Sequence, residues 1–275
     1  MPFSLGVVGL GQMAQALVKP LLARGELSPE DLIAVVGREQ TVQRLRAEVP
    51  AGVCLLAAAD VQALDVWAPP VQLLCVKPQQ LAEVAASAPE PPLLATGDKP
   101  LLISVLAGVS LERLQLAFPG RHCVRAVPNT PALVGAGLTG LAWGVGVTEA
   151  QRCWVQALFQ PVSELVELPE DQLDAFLALT SSGPAYVALM VEAMADGAVA
   201  AGLPRRLAQH LAHRTLAGTA ELLMQRDLHP GQLKDMVSSP GGTTITALRK
   251  LESAGIRSAL IEAVIAAAER SRELG

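Results

Sequence analysis

Gly6-Val7-Val8-Gly9-Leu10-Gly11-Gln12-Met13-Ala14 sets the pattern G-x-G-x-x-A directly after an apolar run and directly before a helical stretch. In that context Gly9 permits a tight turn, Gly11 lets backbone approach a pyrophosphate, and Ala14 lets the following helix pack closely on a sheet, while the helix N-terminus offers partial positive charge. The stretch predicts a dinucleotide-binding turn built from Val8, Gly9, Leu10, Gly11, Gln12 and Met13. Taken alone it also fits an ordinary glycine turn between strand and helix, so its weight depends on what surrounds it.

Working outward, short Val/Leu/Ile runs alternate with longer Ala/Leu/Gln/Arg stretches through the first half of the chain. Strands are expected at 5–8, 32–36, 53–56, 71–76, 101–106, 123–127 and 138–143, with a last one at 164–168 after a helix that Thr148 and Gln151 open as a capping box. That alternation predicts a doubly wound sheet with the glycine turn at its first strand. In such a sheet the end of the second strand selects the cofactor: a carboxylate there holds a ribose hydroxyl, an arginine a 2′-phosphate. Here it reads Val36-Gly37-Arg38, which favours NADPH and leaves NADH possible. The fourth strand ends at Cys75-Val76-Lys77-Pro78 and the fifth at Val105-Leu106-Ala107, on the carboxyl edge where such sheets bind ligands. At that edge Lys77 either faces the nicotinamide ribose or the substrate, or is a plain surface lysine.

Beyond 165 the strands stop. Ala/Leu-rich helices follow at 185–201, closed by Gly202 and Pro204, then at 205–225 and 256–271, so a boundary is expected between domains 1–165 and 166–275. Small residues along 185–201 allow close helix packing, within the chain or against a second copy, and a homodimer is expected because the helical part lacks polar faces to cover itself.

The composition sets limits. With 275 residues the chain is long enough for a large core, and 51% hydrophobic residues with only 3% aromatic suit closely packed helices and buried parallel strands. A net charge of −5 with scattered Lys and Arg provides no footprint for nucleic acid or an anionic membrane. The uncharged run 126–148 is about long enough to cross a bilayer, but Pro128, Pro131 and its glycines make it two buried strands and a loop. Met1-Pro2-Phe3-Ser4 has no leader-like pattern, and a cytoplasmic setting is expected. Cys54, Cys75 and Cys123 fall in apolar runs and read as small buried hydrophobes; with Cys153 they show no metal spacing, and His210 and His213 stand apart from other ligands, so no metal is expected.

Four segments exceed what plain architecture needs. They are Val124-Arg125-Ala126-Val127-Pro128-Asn129-Thr130-Pro131, Thr180-Ser181-Ser182-Gly183-Pro184-Ala185-Tyr186, His229-Pro230-Gly231-Gln232-Leu233-Lys234-Asp235 and Val237-Ser238-Ser239-Pro240-Gly241-Gly242-Thr243-Thr244. Together, in this order and over essentially the whole chain, they resemble pyrroline-5-carboxylate reductase, Ser-Pro-Gly-Gly-Thr-Thr being the most specific part. The resemblance implies a Rossmann-type domain, an all-α dimerisation domain, dimers that can assemble further, and hydride transfer from a nicotinamide to the cyclic imine 1-pyrroline-5-carboxylate. It also implies a substrate site made of Ser238, Ser239, Gly241, Gly242, Thr243 and Thr244, with Asn129 and Asp227 nearby, the carboxylate lying in a nest of N–H groups and Thr244 bonding the ring nitrogen. Thr244 and Lys77 are the candidate catalytic residues. Helix capping is the alternative account of Ser239, Thr243 and Thr244, although capping alone does not ask for Gly-Gly and two threonines together.

Two departures stand out: Gly37 occupies a position where the family commonly has Ser or Asn, and Ser181 one where glycine is usual, a strain if that backbone needs positive φ. A hydroxyacid or imine reductase on the same plan would carry a Gly-x-x-x-Lys helix motif, yet no lysine occurs between Lys99 and Lys234. A dinucleotide sensor would have no use for the 238–244 loop.

Overall fold

The computed structural model describes residues 5–91, 93, 94 and 96–274; the run 1–4, on which the absence of a leader was read, lies outside them. The strands are β1 (Leu5–Val8), β2 (Leu32–Val36), β3 (Cys54–Ala57), β4 (Val71–Leu74), β5 (Leu101–Ser104), β6 (His122–Pro128), β7 (Gly137–Trp143) and β8 (Ser163–Glu167). They form one sheet in the order β3-β2-β1-β4-β5-β6-β7-β8. The six strands from β3 to β6 are mutually parallel, β7 runs antiparallel to β6, and β8 is parallel to β7. The reversal at β7 was not foreseen, and its cause is connection length. The chain between β6 and β7 holds only a 3-10 turn (Thr130–Val134), too short for a parallel crossover.

The first helices are α1 (Gln12–Arg24), α2 (Glu39–Arg46), α3 (Leu81–Ser87), α4 (Leu111–Ala117) and α5 (Glu149–Phe159). The capping box opens α5 as expected, with Thr148 Oγ1 accepting from Gln151 N and Gln151 Oε1 from Thr148 N. Alternate strand residues feed two cores. Leu5, Val7, Leu101, Ile103 and Val124 join Leu17 and Phe159 on one face, while Val8, Leu74, Leu102 and Cys123 join Trp67 and Phe118 on the other. Burial on both faces explains why these strands read as unbroken apolar runs, and each such Leu or Phe contributes roughly 1.5–3 kcal/mol.

The remaining helices are α6 (Leu173–Thr180), α7 (Gly183–Ala200), α8 (Arg205–Arg226), α9 (Pro230–Met236), α10 (Thr243–Ser253) and α11 (Ile256–Leu274). Composition changes class at 165/166, whereas compactness changes elsewhere. One unit runs to Ser181 and resumes at Ala267; the other is Ser182–Ala266. α6 stays with the sheet unit because Leu173 is fully buried there and Asp174 pairs with Arg125 of β6. The helical unit buries Val191, Ala195, Ala208 and Ala212 between α7 and α8 and leaves Leu189, Met194, Met224, Ile261 and Ile265 exposed. The run Glu170–Ala200 is long and apolar enough to cross a membrane by length and composition, and it breaks at Ser181-Ser182 between α6 and α7.

Two expectations need correction. Cys54 is exposed, because β3 is the outermost strand and has a neighbour on one side only, and of the other two Cys123 is buried and Cys75 half-buried. Ser181 carries no strain, since it continues α6 at φ −92°, where any residue is comfortable.

Candidate active site

β1 lies between β2 and β4, so the turn after it stands at the point where strand order reverses, the place where open sheets of this kind bind ligands. Gly9 has φ 92°, and a Cβ there would lie 2.8 Å from the Cys75 carbonyl oxygen, so glycine is required twice over. Its N–H donates to Val35 O at 2.8 Å. Gln15, nearly buried, donates Nε2 to Leu10 O at 3.1 Å and pins the turn from beneath. Sequence reading missed it; an amide at a core-facing helix position was the available signal. Val8 and Leu10 bury their side chains, so only their backbone faces the edge. Gly11 is the N-cap of α1, exposed, with no side-chain cap and no acidic residue in the first turn. The free N–H groups of that turn fit a pyrophosphate.

Strand order lays the other candidates along the same edge. Beyond β2, Gly37 and Arg38 are exposed, and Arg38 is the N-cap of α2 with no side-chain bond of its own there. Beyond β4 and β5 the strands stop two residues earlier than expected, at Leu74 and Ser104. Cys75 N still donates to Val8 O and Val105 N to Leu74 O, but Cys75, Val76, Lys77 and Pro78, like Val105, Leu106 and Ala107, belong to loops leaving the edge. Lys77 is exposed ahead of a 3-10 turn (Pro78–Gln80), and Leu106 is buried. Burial pushes the Cys75 thiol well above its ordinary range and that of Cys123 up to about 12, so neither is a thiolate near neutrality.

Asn129, after β6, is buried, with Nδ2 donating to Thr180 O at 3.0 Å and Oδ1 accepting from Leu138 N at 2.8 Å. Its amide is committed within the sheet unit instead of open to a substrate, because the reversal of the chain into β7 needs a partner for the Leu138 N–H.

The remaining substrate candidates lie in the helical unit. Gly241 takes φ 66°, and Gly242 is the N-cap of α10, where any Cβ would overlap Ser239 Oγ. An added Cβ would force the Ser239 hydroxyl to rotate away and would press on its carbonyl oxygen at 3.1 Å. The expected nest changes in one respect: the Gly242 N–H is spent on Ser239 O at 3.0 Å. The free donors are therefore those of the first turn of α10, beginning with Thr243 and Thr244, where no side chain caps the helix. Ser238 Oγ is enclosed without a partner in the chain. Asp227 is an exposed left-handed C-cap of α8, φ 47°. His229 caps α9 through Nδ1, which accepts from Gly231 N. Among the described residues no group of three or more His, Cys, Asp or Glu is placed to hold a metal.

A doubly wound sheet with an open glycine turn at its switch point defines a dinucleotide-binding protein. Residues 4–108 match a family model described as NADP oxidoreductase, coenzyme F420-dependent, and residues 170–274 one described as pyrroline-5-carboxylate reductase dimerisation. The chain belongs to the pyrroline-5-carboxylate reductase family. It is 47% identical to pyrroline-5-carboxylate reductase of Synechocystis sp., across 100% of this chain and 99% of that one, and 41% identical to that of Glycine max, across 99% and 96%. Its fold is similar to the crystal structure of Plasmodium falciparum pyrroline carboxylate reductase with NADP bound, with TM-score 0.87, 28% identity and coverage of 99% and 98%.

Proposed function

We propose that this chain reduces 1-pyrroline-5-carboxylate to L-proline, the last step of proline biosynthesis, with NADPH as preferred donor and NADH as a second. The observation that carries the reading is the loop 238–244, where an uncapped helix N-terminus opens beside Ser239 and Thr244. Its relatives bear the name of this activity. The functional division follows composition: domain 1–165 takes the cofactor, and 166–275 takes substrate and partner.

The first-turn N–H groups of α1 hold the pyrophosphate and Arg38 the 2′-phosphate. Backbone of the loops after β4 and β5 guides the nicotinamide end, with Lys77 facing its ribose or the substrate. A bound nicotinamide supplies the hydride taken up by the imine carbon. The Thr243 and Thr244 N–H groups, with the Ser238 and Ser239 hydroxyls, hold the substrate carboxylate. Thr244 Oγ1 bonds the ring nitrogen and Asp227 favours its protonated form, while Asn129 acts by holding its loop. A cyclic imine is basic enough that positioning supplies much of the catalysis, in keeping with cysteines held as thiols. The enzyme is placed in the cytoplasm as a homodimer or an assembly of dimers. The apolar surface of the helical unit is covered by a second copy, with no role for a membrane or nucleic acid.

Purified protein should oxidise NADPH only when 1-pyrroline-5-carboxylate is added; absence of turnover with either nicotinamide cofactor overturns the reading. Thr244→Ala should lower kcat/KM by about 10–100-fold with little change in NADPH affinity, and equal losses would indicate a folding role.

A further inference from the structure

Two bonds fix the turn that follows β1. The Gly9 N–H donates to Val35 O at 2.8 Å, and the Leu10 carbonyl accepts from Gln15 Nε2 at 3.1 Å. The helix ladder of α1 begins with the Gly11 carbonyl, which accepts from Gln15 N at 2.9 Å, so the Leu10 carbonyl one residue earlier stands outside it. Leu10 is 2% exposed and Gln15 6%, and Gln15 sits in a run of buried residues, Ala14, Ala16, Leu17 and Val18. An amide in such a place is costly unless it is bonded, and this one bonds the carbonyl between the two glycines. A trans peptide points its C=O and its N–H to opposite sides. With the Leu10 oxygen drawn inward to Gln15, the Gly11 N–H is therefore turned away from the core. Gly11 itself is exposed, with no neighbour within 4 Å of where a Cβ would lie.

We propose that Gln15 is a positioning residue for the cofactor: it selects the peptide orientation that presents the Gly11 N–H to the pyrophosphate, without touching the cofactor itself. Folding alone asks for less. Gly11 has φ −78°, but glycine takes either hand readily, so the Leu10–Gly11 peptide could turn over and direct its oxygen to solvent at small cost. An apolar residue at 15 would then pack beside Ala14 and Ala16 with no polar group left unmet. Binding does not tolerate that alternative, since a carbonyl oxygen would face the phosphate oxygens where a donor is needed. The inference rests on the reading that this turn takes the pyrophosphate, and every residue it uses belongs to the sheet unit.

The test measures binding to the full chain and needs no turnover, so it stands even if the assigned substrate is wrong. Gln15→Met keeps the length of the side chain and loses the donor; Gln15→Glu sets a carboxylate against the same oxygen. Gln15→Met should raise the Kd of NADPH by about tenfold, the worth of roughly one hydrogen bond to a charged group. The Kd of NADH should rise by the same factor, because the pyrophosphate is common to both, and Gln15→Glu should raise both further. Adenosine 2′-phosphate, which has no pyrophosphate, should bind both variants as it binds wild type, whereas a loosened scaffold would weaken it along with NADPH. Unaltered NADPH affinity in folded Gln15→Met, or equal losses for NADPH and adenosine 2′-phosphate, overturns the proposal alone. Wild-type protein that holds NADPH no more tightly than adenosine 2′-phosphate overturns the pyrophosphate reading and the proposal together. If one variant does not fold, the other decides.

Discussion

In the sheet unit Phe118, Phe159 and a series of leucines pack against both faces of eight strands, whereas in the helical unit the buried residues are Val191, Ala195, Ala208 and Ala212. The first unit meets its own needs for burial. The second, with Leu189 at 67% and Met224 at 71% exposure, leaves large apolar side chains uncovered, as a dimerisation region does when seen in a single chain. Sites built on the two differ in the same way. Around Gly9 the constraint is steric and comes from a packed neighbour, Cys75; around Thr243 and Thr244 it comes from an open helix end.

The largest effect should come from violating that steric constraint. Gly9→Ala puts an L side chain at φ 92° and drives its Cβ against the Cys75 carbonyl. The strain is about 1–3 kcal/mol before any overlap is counted, so NADPH affinity should fall by about 100-fold or more. Dimer mass by light scattering should be unaltered. Wild-type affinity in Gly9→Ala would mean that the turn is freer than its contacts show.

Next comes a pair of substitutions that puts the contrast between units directly to the test. Val61, in the sheet unit, is 97% exposed, and Val61→Glu should change stability by no more than about 0.5 kcal/mol. Leu189→Glu, at a residue also largely exposed in the single chain, should weaken self-association by at least about tenfold and make Tm fall on dilution. Equal, small effects at both positions would remove Leu189 from any interface.

These differences also explain what could be read beforehand. The sheet was legible because strands buried on both faces leave unbroken apolar runs, and the glycine turn because its requirement is local. Strand direction at β7 was not, since period and composition are blind to direction and only the short link through Thr130–Val134 decides it. Asn129 was assigned to substrate from resemblance, and its actual bonds, to Thr180 O and Leu138 N, are made to backbone that the sequence does not bring near. The bonds to Asp174 were not legible for the same reason: Arg125 and Ser271, which donate to it, lie 49 and 97 positions away. Gly242 was legible as a glycine but not in its surroundings, where the Ser239 side chain lies against it.

A smaller effect is expected at Arg38, which is exposed and caps no helix with its side chain. Arg38→Gln should reduce the preference for NADPH over NADH by about tenfold, in the range of one screened, charge-assisted bond, while leaving kcat with NADH unchanged. Loss of activity with both cofactors would instead make Arg38 part of the α2 scaffold.

The smallest effect has the opposite sign. Asp227 is the one non-glycine residue at positive φ among the described residues, and it stands at the C-terminus of α8, where the helix dipole disfavours a negative charge. Aspartate tolerates that conformation, but its charge opposes the dipole and is poorly explained by folding. Asp227→Gly removes both penalties and should stabilise the protein by about 0.5–1 kcal/mol, raising Tm by about 2 °C at matched concentration, while kcat/KM falls if the carboxylate serves the ring nitrogen. Asp227→Asn separates the two causes, since asparagine tolerates the left-handed conformation and carries no charge. It should lose activity as Asp227→Gly does and gain less stability. If Asp227→Gly melts lower than wild type, the carboxylate is making a stabilising contact in the assembled enzyme, and its conformation is retained for the fold, not for the reaction.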